Sequence, residues 1–191
     1  MMIRKAEKDD YLDVIPLIKL AIGDMANTYT GYQDEALMDK TLKALYLEKQ
    51  SRFSYENVYI ACFENKIAGQ ITAYPAEVMA TLNRHFETYF NPDAEDREAR
   101  LKALVASKEG FEGEYYIDSL AVYKAYRGLG FASDLIHEVE RIAFDAGYDK
   151  LSLLVALNNP KAERLYEKLA FKSDQMVQVL GHPYKHLVKH I

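Results

Sequence analysis

The chain has 191 residues, 49% of them apolar and 28% charged, with 24 lysines and arginines against 29 aspartates and glutamates for a net charge of -5. Such a composition belongs to a folded globular chain and excludes a disordered or membrane-embedded one. The acidic balance excludes the broad basic surface of a nucleic-acid binder, so any phosphate ligand must be held by a local cluster.

The opening "MMIRKAE" reads as a first strand and carries none of the apolar segment of a signal peptide. Asp9 or Asp10 can cap a helix whose apolar positions Tyr11, Val14, Ile15, Ile18 and Ile22 recur at three and four. A second helix is expected from about Asp34 to Glu48, through Leu37, Met38, Leu42 and Leu45. "NVYIACFE" and "KIAGQITAY" read as two strands of a hairpin around the polar tip Glu64, Asn65 and Lys66. The single cysteine, Cys62, lies in the first of them and is read as core; one cysteine excludes a disulfide framework and points to a cytoplasmic protein.

Pro75 ends the hairpin, and residues 76–112 read as one or two helices inserted between strands and broken at "NPDAED". A packing face or surface excursion is the favoured role of this insert, ahead of a substrate lid. "GEYYIDSLAVY" is the next strand, followed by "RGLGFAS" and a helix with Ala132, Leu135, Ile136, Val139, Ala143 and Ala146 on one face, stopped by Gly147. "KLSLLVAL" has the continuous apolar character of a strand buried on both faces. Asn159 before Pro160 is a good N-cap with proline at the first helical position. Two strands, "FKSDQMVQVL" and "YKHLVKHI", close the chain. No apolar run approaches the roughly 20 residues of a membrane span, so no membrane partner is expected. The histidines show no metal-ligand spacing; no metal is expected, and His186 and His190 are read as surface residues.

The chemistry-bearing stretch is the glycine turn "YRGLGFASDL". The first amides of a helix have no intrahelical partner, the macrodipole is positive there, and glycine lets a phosphate oxygen approach the backbone. The dinucleotide fingerprint fails here: Ser133 replaces the third glycine, and no acidic residue ends the following strand. Gly128 and Gly130 taken alone serve equally well as mere shapers of a tight turn.

Their neighbours add to this. Residues 114–171 resemble the core of the GNAT acetyltransferase superfamily, whose acetyl-CoA signature Q/R-x-x-G-x-G/A is met by Arg127, Gly130 and Ala132. "IDSLAV" before it is similar to the family's fourth strand. Asn159, Ala162, Leu165, Tyr166, Glu167, Lys168 and Phe171 match its N-x-x-A-x-x-L-Y-E-K-x-G-F segment. Two positions depart: Lys124 replaces a common proline, and Ala170 replaces the glycine before Phe171, where alanine is the poorer left-handed cap.

The resemblance implies an α/β domain over 1–191 with a mixed, mostly antiparallel sheet of about seven strands, splayed between the fourth and fifth, flanked by helices and interrupted by the 76–112 insert. It implies an acetyl-CoA-dependent N-acetyltransferase acting by direct attack of a primary amine in a ternary complex, on a small-molecule or protein amine, with homodimers a common assembly. A non-catalytic acyl-CoA-binding regulatory domain is the alternative. The pantetheine arm would lie along Leu120, Ala121 and Val122. The pyrophosphate would take the amides of Gly128, Leu129, Gly130, Phe131, Ala132 and Ser133, with Arg127 and Lys124 adding charge. Asn159 would combine its cap with cofactor contact, and Tyr166 would be the general acid toward the thiolate. Acetyl transfer needs a neutral amine, so a base is required. Alternation places Glu114, Tyr116, Asp118 and Leu120 on one face; Asp118 is the first choice as base, Glu114 the second, and Ser119, on the other face, is structural.

Overall fold

The computed structural model describes residues 1–191. Its frame is a seven-stranded sheet in the order β1-β2-β3-β4-β5-β7-β6. The strands are β1 (Met2–Lys5), β2 (Val58–Phe63), β3 (Lys66–Pro75), β4 (Tyr115–Val122), β5 (Lys150–Ala156), β6 (Lys172–Val179) and β7 (His182–His190). Every neighbouring pair is antiparallel except β4 and β5, which run parallel. The β2–β3 hairpin turns on two residues, because Lys66 already pairs with Phe63 and only Glu64 and Asn65 take positive φ. Two such left-handed residues give the turn whose twist matches that of the strands.

Before β2 come α1 (Tyr11–Ile22), α2 (Met25–Thr30) and α3 (Glu35–Leu47). Asp34 caps α3, its carboxylate accepting from the Leu37 amide at 2.9 Å. The 76–112 insert holds three short helices, α4 (Met79–Asn83), α5 (Phe86–Tyr89) and α6 (Arg97–Ala106), one more than expected, with the break at residues 91–96 as read. It is a packing element: Phe86, Phe90, Leu101 and Leu104 join Val14, Ile18, Leu42, Tyr46 and Ile60 in a core on the α1 side of the sheet. Cys62 is only partly buried, at the margin of that core.

On the other face α7 (Phe131–Asp145) lays Phe131, Leu135, Ile136, Val139 and Ala143 against Ile71, Ile117, Leu151 and Leu153. The last helix, α8 (Pro160–Lys168), starts as its sequence dictates: Asn159 Oδ1 accepts from the Ala162 amide at 3.1 Å, with proline following. Ala170 does take the left-handed conformation, φ 68°, that glycine would adopt with less strain.

One expectation is overturned here. His186 is fully buried, not a surface residue, because β7 inserts between β5 and β6 instead of closing an edge. Its Nδ1 lies 2.7 Å from Asp174 and its Nε2 3.2 Å from Glu114, while its ring meets Phe111 edge-on. No helix is long and apolar enough to cross a membrane.

Candidate active site

The parallel pairing of β4 and β5 lasts only from Tyr115 opposite Leu151 to Ile117 opposite Leu153. Beyond those residues both strands continue, unpaired with each other, so the sheet opens into a wedge. The antiparallel ladder with β3 decides which backbone groups face the wedge. The Tyr123 amide donates to the Ala68 carbonyl, so by alternation Ala121 also bonds toward β3, while the peptide groups of Leu120 and Val122 point into the gap. The Val122 carbonyl there accepts from Arg127 Nε at 3.0 Å, which folds the arginine back over the mouth of the wedge.

At that mouth the chain turns through Gly128 (φ 80°) and Gly130 (φ 91°) into α7. Both values demand glycine, and a Cβ added at Gly128 would meet no atom within 4 Å, so the need is conformational and the space above the turn is open. The amides of Gly128, Leu129, Gly130, Phe131, Ala132 and Ser133 donate to no protein acceptor, and the first backbone bond of the turn is Asp134 to the Gly130 carbonyl. Six unpaired donors at a helix start, with Arg127 beside them, form a cradle for a polyanion.

Behind the mouth, the wedge holds a cavity of about 250 Å³. It is lined by β4 from Tyr116 to Leu120, by β5 from Leu153 to Ala156, by Asn159, Ala162 and Tyr166 of the α8 region, and by Ala21, Ile22, Met25 and Tyr29 of α1 and α2. The structure therefore brings Asp118, Leu120, Asn159 and Tyr166 to one space. Burial pushes the Tyr166 hydroxyl up to about 12, and the ring packs edge-on to Phe171.

Asp118 is not a free carboxylate. It accepts from Arg52 Nε at 2.5 Å, from Arg52 Nη2 at 2.7 Å and from the Tyr74 hydroxyl at 2.7 Å. Arg52, 1% exposed, is at the same time gripped on its other edge by Glu109, with both contacts at 2.6 Å, and Glu109 also accepts from the Tyr116 hydroxyl at 2.8 Å. Burial pushes the Asp118 carboxyl up, against the pull of the guanidinium, and Glu109 pushes it further in the same direction. Glu114, the second candidate base, lies outside the cavity, against His186 and the Phe111 amide. Ser119 bonds Thr72 and Gln70 within the sheet, as a structural residue would.

Sequence reasoning did not find Arg52, Glu109, Tyr29 or Tyr184, all of which line the cavity. The one local signal was Arg52 itself, a lone charge in "SRFSY" with serine and phenylalanine around it.

A model of the Acetyltransferase (GNAT) family matches residues 22–171. Among curated proteins, the uncharacterized N-acetyltransferase YycN of Bacillus subtilis (strain 168) is 33% identical over 72 residues, which are 38% of this chain and 46% of that protein. The chain thus spans about half the length of the curated relatives it matches. Among solved structures, an N-acetyltransferase from Staphylococcus aureus Mu50 superposes with a TM-score of 0.80 at 25% identity, covering 99% of this chain and 100% of that one. The PaiA N-acetyltransferase from Thermoplasma acidophilum, solved in complex with coenzyme A, shares the fold at TM-score 0.59 and 15% identity, covering 100% of this chain and 98% of its own.

Proposed function

The chain belongs to the acetyltransferase (GNAT) family, and from that membership we propose that it moves the acetyl group of acetyl-CoA to a primary amine by direct attack in a ternary complex. The observation that carries the reading is the opening of the sheet after Ile117 and Leu153, with the backbone of Leu120 and Val122 turned into the gap, where only the Val122 carbonyl is taken, by Arg127, and leading to six unpaired amides. An extended polar arm ending in a pyrophosphate fits that surface along its whole length. Acetyl-CoA supplies an acyl group activated as a thioester; the rest is the work of this chain.

Gly128 to Ser133 and Arg127 hold the pyrophosphate. Leu120 and Val122 receive the pantetheine arm as an added strand, with Ala121 fixed to β3 between them. The Leu120 amide, facing the gap, is the donor available to charge developing on the acyl oxygen. Asn159 has its Oδ1 occupied by the Ala162 amide, which leaves the side-chain amide for the cofactor.

Tyr166 offers its O–H to the departing sulfur. With a hydroxyl near 12 and a thiol near about 8.5, full proton transfer would run uphill by about 5 kcal/mol, so its contribution is a hydrogen bond to the thiolate. Asp118 accepts the proton of the amine. Burial, helped by the neighbouring Glu109 carboxylate and against the opposing pull of Arg52, makes it a better proton acceptor than a surface carboxylate.

The deciding experiment is calorimetric titration with acetyl-CoA, with NAD as control, followed by thiol-release assays across an amine panel. Acetyl-CoA is expected to bind and NAD not to. Binding of neither would defeat the proposal, and binding without thiol release for any amine would favour a regulatory domain.

A further inference from the structure

The cavity carries an unbalanced charge. Of the residues that line it, only Arg52, Glu109 and Asp118 bear formal charge, so one guanidinium stands against two carboxylates. That guanidinium is used up: four of its five N–H groups are committed to the two carboxylates, and its carbon lies 5.1 Å from the centre of the Tyr29 ring. An anionic group entering this space would meet two buried carboxylates and no free cation. A cation would meet one net negative charge in a poorly screened setting.

The walls point the same way. Tyr29, Tyr116, Tyr166 and Tyr184 ring the space, and Ile22 and Met25 add aliphatic surface. Aromatic faces attract organic cations, most strongly where water is excluded. Tyr29 supplies an independent pointer to a ligand: it is 5% exposed, lines the cavity, and its hydroxyl, open to the cavity space, has no partner in the protein, whereas the hydroxyls of Tyr74 and Tyr116, each 1% exposed, are both taken up by the carboxylates.

We propose that the acceptor is a small organic cation, an alkyl- or arylalkyl-amine bearing no carboxylate or phosphate, seated among these tyrosines with its charge toward the Glu109–Arg52–Asp118 cluster and a hydrogen bond to the Tyr29 hydroxyl. The assignment rests on the acetyltransferase reading and narrows it, since amino acids and other anion-bearing amines are then rejected at the cavity wall. The ammonium enters charged and passes one proton to the carboxylate pair. The cluster thereby goes from a net charge of minus one to neutral, and the amine nitrogen is left with the free lone pair that attack requires.

The test is calorimetry on the 191-residue protein with four probes of similar size: n-butylamine, 1,4-diaminobutane, 1-butanol and 4-aminobutanoate. The two amines are expected to bind at least about tenfold more tightly than the alcohol and the amino acid. Tyr29→Phe, which preserves the ring, should weaken both amines several-fold, and Glu109→Gln should abolish the preference for cations. Equal or tighter binding of 4-aminobutanoate, no binding of either amine, or an unchanged preference in folded Glu109→Gln would overturn the inference. Should Glu109→Gln fail to fold, the four-probe comparison on the unaltered protein decides alone. Acetyl-CoA titrated in the same series separates the two readings. Failure to bind it defeats the acetyltransferase, whereas acetyl-CoA binding without cation preference defeats only the choice of acceptor.

Discussion

Arg52 and Asp118, separated by 66 residues, are joined through two hydrogen bonds of 2.5 and 2.7 Å with neither side chain more than 3% exposed. Their contact ties the loop before β2 to the middle of β4, where the sheet begins to open. Removing the arginine would strand two buried carboxylates, and breaking a buried pair by deleting one partner costs about 3–5 kcal/mol. Arg52→Met is therefore expected to lower stability by about that amount in urea unfolding. A loss below about 1 kcal/mol would mean that water reaches the pair freely.

Asp118→Asn keeps the size of the side chain and removes its basicity. Turnover with a saturating amine should fall by roughly 10²-fold or more. The acid limb of the pH–rate profile, which reports the carboxylate losing its proton above the ordinary range, should vanish with it. Unaltered turnover from pH 6 to 9 would remove Asp118 from the chemistry.

Tyr166 holds its proton up to about pH 12, and the donor form is the one present below that value. Activity should then show no alkaline decline attributable to this group through pH 10. Tyr166→Phe should lower kcat by about 10²-fold while leaving the affinity for acetyl-CoA within about threefold. Equal losses in binding and turnover would mark the residue as part of the wall only.

The two ends of the glycine question can be tested as a pair. Ala170→Gly relieves a left-handed alanine and should stabilise the protein by about 1 kcal/mol. Gly128→Ala imposes the same strain at φ 80° without any clash, so it should cost about 1 kcal/mol and weaken acetyl-CoA binding by distorting the amide cradle. A Gly128→Ala protein that binds acetyl-CoA normally would show that the cradle tolerates a relaxed turn.

His186 predicts a pH dependence of stability. Burial lowers its affinity for protons, but hydrogen bonds to Glu114 and Asp174 raise it more, and the net direction is up. A raised histidine stabilises fully below its unfolded value of about 6.5 and loses that contribution as pH climbs through the folded value. Glu114 is held down, so its share is lost as pH falls through its own folded value, below about 4.3. The melting temperature should thus decline from pH 6 toward pH 8.5, and His186→Gln should flatten that decline. Identical slopes in the two proteins would show that the imidazole stays neutral in the fold.

What could be read from the chain was what lies within a few residues of itself. Asn159 and Pro160 specify a helix start, Gly128 and Gly130 specify positive φ, and alternation along β4 put Asp118 on the face of the wedge. Arg52 and Glu109 could not be joined this way, because only the packing of the 76–112 insert against α2 and β4 brings them together. His186 was misread for a similar reason. Its strand alternates lysines and histidines as an edge strand would, and nothing local announces that β7 slides between β5 and β6. The insert's helices were legible from its spacing, but the sequence left packing face and surface excursion undivided, and neither its place in the core nor the way it delivers Glu109 to the cavity could be read from it.

The short ladder between β4 and β5 makes the sheet two plates riveted by three residue pairs. Under load the seam there would yield before the long antiparallel ladders on either side. A polar arm laid along Leu120 and Val122 would act as a splint across the open end of that seam, turning two plates into one continuous beam. The chain would then be mechanically completed by its own substrate, stiff when charged for reaction and compliant once the arm has left.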